Sequence, residues 1–141
     1  MTAPVFVDTN VLIYAVDRGD LKKQQAARAW RSELWKSHRG RISFQVLQEF
    51  YVNVTRKIAS PLPRDVARLA VNSYSIWCIE TSPAEISLAF RIEDESKVGF
   101  WDALIVASAV KCGATRILSE DLNAQQVIAG VRLENPFANI A

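Results

Sequence analysis

The feature of this sequence that most restricts its fold is the alternation of short, continuously apolar runs with longer helical stretches. Val5-Phe6-Val7, Arg41-Ile42-Ser43, Ile76-Trp77-Cys78-Ile79 and Thr115-Arg116-Ile117-Leu118 read as strands, with Val131-Arg132-Leu133 as a fifth. Strands with one face in water alternate apolar and polar side chains, whereas strands covered on both faces do not. A short helix follows the first strand through Val11-Leu12-Ile13-Tyr14. Residues 21–37 place Ala27, Trp30 and Leu34 on one helical stripe, and Gly40 ends that stretch. Residues 45–58 do the same with Val46, Leu47, Phe50, Val54 and Ile58. Pro63 suits the first turn of a helix running to about Tyr74. Ser82-Pro83-Ala84-Glu85 forms a capping box for a helix reaching about Ser96. Residues 100–112 are apolar nearly all round, which predicts a buried helix stopped by Gly113. Together these elements predict one α/β domain over residues 1–141, a three-layer α/β/α sandwich around a mostly parallel sheet.

The chain has 141 residues and is 50% hydrophobic, enough for one core without disulfide or metal staples. Trp30, Trp35, Trp77 and Trp101 are expected as core anchors. Cys78 and Cys112 lack the spacing of a metal site and read as reduced thiols of a cytoplasmic protein. The opening MTAPVFVDTN has no basic segment and no long apolar run, so no signal peptide is expected. The run Ala103–Val110 is too short to span a membrane. Net charge is only +2, but cations crowd the first third, among them Arg18, Lys22, Lys23, Arg39 and Arg41. They read either as the solvated face of a helix or as a rim that attracts phosphates.

The chemistry lies in four acids placed among apolar residues. Asp8 closes the first strand, Glu49 borders the apolar stripe of its helix, Asp102 opens the most apolar helix, and Asp121 follows a late strand. In open α/β sheets ligands bind beyond the carboxyl ends of the strands, where Asp8, Asp102 and Asp121 all belong. No Lys or Arg shares a stripe with Glu49 or Asp102, so clustered carboxylates would repel one another. A divalent cation would relieve that repulsion, and an oxygen-only donor set favours Mg²⁺ or Mn²⁺. Each acid also has a purely structural reading: a cap for Asp8, a helix-dipole charge for Asp102, a distant ion pair for Glu49, a turn for Asp121.

These residues carry a family resemblance. Val7-Asp8-Thr9-Asn10-Val11-Leu12 resembles the opening motif of PIN domains, and Gln48-Glu49-Phe50 their second acidic motif. Phe100-Trp101-Asp102-Ala103-Leu104-Ile105 and Leu118-Ser119-Glu120-Asp121-Leu122 are similar to the third and fourth. The tail Gly130–Phe137 resembles the ending of many VapC-type toxins. The resemblance implies a PIN-like, Rossmann-like fold and an endoribonuclease that uses Mg²⁺ or Mn²⁺ on single-stranded RNA. It implies that Asp8 and Asp102 hold the metal directly, and that Glu49 and Asp121 complete the site directly or through water. Thr9 and Ser119 match hydroxyls that orient carboxylates or water, and Asn10 stands behind the acids. It further implies a VapB-type antitoxin partner and a homodimer. Ser119 departs from the commoner Thr, and Asn123 replaces an acid that some relatives carry. The expectation is therefore one tightly held ion, with any second arriving with substrate. The lone His38 is expected at the surface rather than as a general base.

Two other readings remain in view. A receiver-like signalling domain would need a phospho-acceptor Asp after a middle strand, where Ile79 is instead followed by Glu80-Thr81. A non-catalytic PIN-like module that only binds RNA or protein would gain nothing from retaining four acids.

Overall fold

In the computed structural model, residues 3–140 are described; Met1, Thr2 and Ala141, at the ends of the expected domain, lie outside them, as does the start of the segment read for a signal peptide. The elements run β1 (Val5–Val7), α1 (Thr9–Tyr14), α2 (Leu21–Ser37), β2 (Gly40–Arg41), α3 (Phe44–Arg56), α4 (Arg64–Tyr74), a 3₁₀ turn (Ser75–Trp77), α5 (Pro83–Ser96), α6 (Phe100–Lys111), β3 (Arg116–Leu118), β4 (Val127–Ile128) and β5 (Val131–Glu134). The strand order is β2-β1-β3-β5-β4. β1 pairs in parallel with β2 and β3, β3 pairs in parallel with β5, and β4 alone runs antiparallel. The protein is thus a mostly parallel α/β sandwich.

Burial shows why the strands read as continuous apolar runs. Val5, Phe6 and Val7 point alternately to opposite faces, and none is more than 1% exposed. Both faces of β1 are therefore covered, which makes the three layers. The helices follow their local signals. Asp20 caps α2 by accepting from Lys23 N, and Ser43 caps α3 by accepting from Val46 N. At α5 the capping box forms, with Ser82 N donating to Glu85 Oε1 at 2.7 Å. α6 buries Ala103 and every residue from Ile105 to Ala109.

Three expectations need correction. Ile76–Ile79 is not a strand. Ser75–Trp77 tightens into a 3₁₀ turn that leaves Ile76 exposed and turns the Trp77 indole onto the backbone of Gly40. Only one rung survives, the bridge between Ile42 and Cys78, in which Ile42 N donates to Trp77 O and Ile79 N to Ile42 O. Second, the strand β4 is additional, folded back on β5 through Ala129 and Gly130, both at positive φ. Third, of the four tryptophans only Trp77 is fully in the core; Trp30 is half-buried, while Trp35 and Trp101 are exposed. Cys78 and Cys112 are free thiols and half-buried. Among the described residues no helix is long and apolar enough to cross a membrane.

Candidate active site

The parallel order brings the ends of β1 and β3 side by side. Asp8 N donates to Leu118 O, so the residues leaving both strands meet at one sheet edge. Asp8 has extended backbone and caps α1, its Oδ1 accepting from Thr9 N at 2.8 Å. Its Oδ2 accepts from Ser119 Oγ at 2.8 Å. Thr9 Oγ1 donates to Glu49 Oε1 at 2.9 Å and so ties α1 to α3. Asn10 clamps the loop after β3. Its Nδ2 donates to Asp121 Oδ2 at 3.1 Å, and its Oδ1 accepts from Glu120 N at 3.1 Å. Ser119 Oγ also accepts from Asp121 N at 3.1 Å. Asp102 enters from the first turn of α6.

Asp8, Glu49, Asp102 and Asp121 line one cleft of about 260 Å³, with Thr9, Asn10, Ile13, Gln45, Asn53, Trp101 and Ile105. Four carboxylates from distant parts of the chain thus share one hollow. Among the described residues none of the four is in an ion pair. The electrostatic consequence falls hardest on Asp8. Burial pushes its carboxyl up to about 6, helped by the charges of Asp121 and Glu49 and opposed by the hydrogen bonds from Ser119 and Thr9. The Asp102 carboxyl is also raised, first by burial and then by Asp121. As whole residues, though, Glu49, Asp102 and Asp121 are exposed and Asp8 is half-buried. The apolar stripes therefore end at the acids, which look outward into the cleft rather than inward into the core.

The donor set is all oxygen and all acceptor. Among the described residues no three His, Cys, Asp or Glu side chains stand close enough to enclose an ion by themselves. That spacing still fits Mg²⁺, which keeps several waters and takes only one or two carboxylates from a protein. A cation would also remove the repulsion that raises Asp8, so the residues present fit such an ion.

The basic residues divide. Arg18 and Lys22 are exposed near the start of α2, close in the chain to Lys23. Lys23 is not free: its ammonium pairs with Glu120, one residue from Asp121, and lies over the rings of Tyr14 and Phe137 at 4.9 and 5.8 Å. Arg39 and Arg41 belong to the opposite edge. Val5 N donates to Arg39 O at the start of β1, and the Arg41 guanidinium turns back to the carbonyls of His38 and Gly40. Charge counting along the sequence could not separate these two edges, and the rim expected from residues 18–41 is reduced to its first part. His38 is exposed at the left-handed end of α2, remote from the acids. A larger hollow of about 460 Å³ between α2 and α4, lined by Arg31, Trp35, Lys36 and Tyr74, contains no acid.

Sequence reading missed Gln45, Asn53 and Trp101. Gln45, Glu49 and Asn53 recur every four residues on α3 and so share a face, a signal that was available.

The PIN domain family model matches residues 5–129. Among solved structures the chain is similar to a toxin–antitoxin complex from Klebsiella pneumoniae, at 22% identity and TM-score 0.65, covering 96% of this chain and 98% of that one. It is similar to DNA-bound VapBC from Salmonella typhimurium, at 18% identity and TM-score 0.68, covering 96% and 99%. It is also similar to VapC20 of Mycobacterium tuberculosis, described as a sarcin-ricin loop cleaving toxin, at 19% identity and TM-score 0.62, covering 91% and 98%. At these identities the likeness is one of fold. No curated protein matches the chain by sequence.

Proposed function

The chain belongs to the PIN-domain family, and from that membership we propose that it is a metal-dependent endoribonuclease serving as the toxin of a toxin–antitoxin pair. The observation that carries the proposal is the convergence of four carboxylates in one cleft with no cation to balance them. Asp8 and Asp102 would hold Mg²⁺ or Mn²⁺, with Glu49 and Asp121 completing the site directly or through water. A divalent ion bound there supplies Lewis-acid polarisation of a phosphoryl oxygen and lowers the pKa of water.

The protein's own groups do the rest. Ser119 and the Thr9 amide fix both oxygens of Asp8, so that carboxylate is preset in direction. Thr9 Oγ1 holds Glu49, and Asn10 holds Asp121. Glu49 and Asp121 are open to the cleft and acceptor-only when ionised, so either can take the proton of a water attacking phosphorus in line. Arg18 and Lys22, exposed and close in the chain to Lys23, would draw the RNA backbone. The Klebsiella and Salmonella structures are complexes that include an antitoxin, which supports a small VapB-type partner for this chain. Val52, Val66, Leu69 and Ile76 stand exposed on α3, α4 and the 3₁₀ turn, a surface that supports homodimer formation. The work of such a toxin is in the cytoplasm, where its RNA is.

The test is cleavage of labelled RNAs by antitoxin-free protein with Mg²⁺, with Mn²⁺, with EDTA, and with Asp102→Asn. Metal-dependent cutting that the variant lacks supports the assignment. Metal binding without turnover on any RNA would favour the non-catalytic PIN-like module.

A further inference from the structure

We propose that Trp101 is a stacking platform that seats one unpaired base of the nucleic acid whose phosphodiester lies in the acid cleft. The inference rests on the nuclease reading of that cleft and names a residue for substrate positioning. Trp101 is 64% exposed in the first turn of α6, next to Asp102. An indole left in water forgoes the largest apolar burial any side chain offers, so an exposed one beside a site calls for an occupant. Its orientation is braced by rings from α6 and α5. Phe100 meets it edge-on at 5.2 Å and 72°, and Phe90 backs Phe100 at 5.9 Å.

Trp101 also borders two hollows at once. One is the acid cleft; the other, about 440 Å³, is lined by Phe44, Gln45, Gln48, Glu49, Thr81 and Leu104, so that Gln45 and Glu49 border both hollows with the indole. Phe44, 60% exposed at the start of α3, supplies a second aromatic face in that hollow. The carboxamides of Gln45 and Gln48 share that lining with the two rings, and the Gln45 Oε1 is buried with no hydrogen-bond partner. Exposed aromatic rings interleaved with carboxamides fit a nucleobase, which offers a flat π face and a hydrogen-bonding edge. An apolar peptide face would leave the carboxamides unpaired. A base within a duplex has no free face, so the platform selects unpaired nucleotides. Because one indole borders both hollows, a base stacked there places its adjoining phosphate toward the acids.

The experiment compares a short single-stranded oligoribonucleotide with an abasic chain of equal length, in Mg²⁺, against wild type, Trp101→Phe and Trp101→Ala. Anisotropy reports binding, and cleavage products are followed in the same tubes. Wild type is expected to prefer the base-bearing chain by roughly tenfold, the size of one stacking contact. Trp101→Ala should erase that preference without weakening abasic binding, and Trp101→Phe should keep most of it. A preference that survives in Trp101→Ala overturns the inference and leaves the exposed indole to a protein partner. If wild type cuts none of the chains yet shows the Trp101-dependent preference, the stacking site stands and the nuclease reading falls.

Discussion

At the first residue of β2, the backbone of Gly40 lies so close to Trp77 that an added Cβ would come within 2.5 Å of the indole ring. Around that contact Trp35, Phe50 and Tyr74 close an aromatic cluster with centroids 5.2 to 6.4 Å apart. At the first residue beyond β1 the design is the reverse. Asp8 is surrounded by protein and faces the like charges of Asp121 and Glu49, and its carboxyl is held near 6 against a usual 3.8. The first region lowers the free energy of the fold. The second raises it. Four carboxylates gathered without an ion pair among the described residues do not serve stability, and the proposed metal would give them a reason.

The largest expected effect divides the two regions cleanly. Asp8→Asn keeps the shape of the side chain, can still accept from Thr9 N, and can donate to Ser119 Oγ. Cleavage in Mg²⁺ should fall by at least about 100-fold, since even groups that merely orient a metal ligand cost about that much. Thermal unfolding in EDTA should show the variant no less stable than wild type. A folded Asp8→Asn protein that cuts RNA at the wild-type rate would dissolve the distinction between the two edges.

The complementary change is Gly40→Ala. The new methyl meets ring carbons of a buried Trp77, which must shift to admit it, so it should cost about 3 kcal/mol. Denaturant titration would read the loss. Turnover per folded molecule at low temperature should be unaffected, because Gly40 belongs to the region without chemistry.

The contrast between the two edges was only half legible in the sequence. The acid edge could be read because its parts are local: Asp8 and Asp121 follow strands and Asp102 opens a helix, ends that a parallel sheet must bring together, while Glu49 borders the apolar stripe of α3. Val5–Val7, Arg116–Leu118 and the Ser82 capping box were legible for the same reason. The Gly40–Trp77 contact joins residues 37 positions apart, and nothing near either residue announces it. Ile76–Ile79, four apolar residues in a row, reads as a strand, yet its first two residues belong to the 3₁₀ turn Ser75–Trp77 that carries this contact, and Cys78 keeps one bridge. Val127–Ile128 is too short to show any alternation, and Trp101 looked like core because composition ignores which way an indole points.

A smaller effect reads the electrostatic cost of the acid edge directly. A carboxyl whose pKa is raised on folding makes the folded state the better proton binder. Between 3.8 and about 6 the folded form therefore holds more protons, and stability falls as pH rises through that window. Above it the full cost applies, about 3 kcal/mol for a difference of roughly two pKa units. The melting difference between wild type and Asp8→Asn in EDTA should accordingly favour the variant at pH 8 and shrink toward pH 4. Saturating Mg²⁺ should raise the wild-type midpoint, the stability rising by about 2.7 kcal/mol at 100 times the dissociation constant, and leave the variant where it was. Equal pH profiles for the two proteins would mean that Asp8 is not under strain.

The smallest effect concerns Lys23, the cation paired with Glu120 beside the acid edge. Lys23 and Glu120 are each about a quarter exposed, and the Tyr14 hydroxyl donates to the other Glu120 oxygen. Such a pair is worth about 1 kcal/mol, so Lys23→Met should lower stability by that order. Its consequence for RNA separates two roles. Each lysine that neutralises a phosphate contributes about one to the slope of log affinity against log salt. Lys23 is already committed to Glu120, so Lys23→Met should leave that slope unchanged, while Lys22→Met, which removes an exposed ammonium in no ion pair among the described residues, should reduce it. If Lys23→Met flattens the slope and Lys22→Met does not, Lys23 leaves Glu120 when RNA arrives. The acid edge would then carry its own mobile counter-charge, and its contrast with the closed Gly40–Trp77 region would be one of motion as well as of sign.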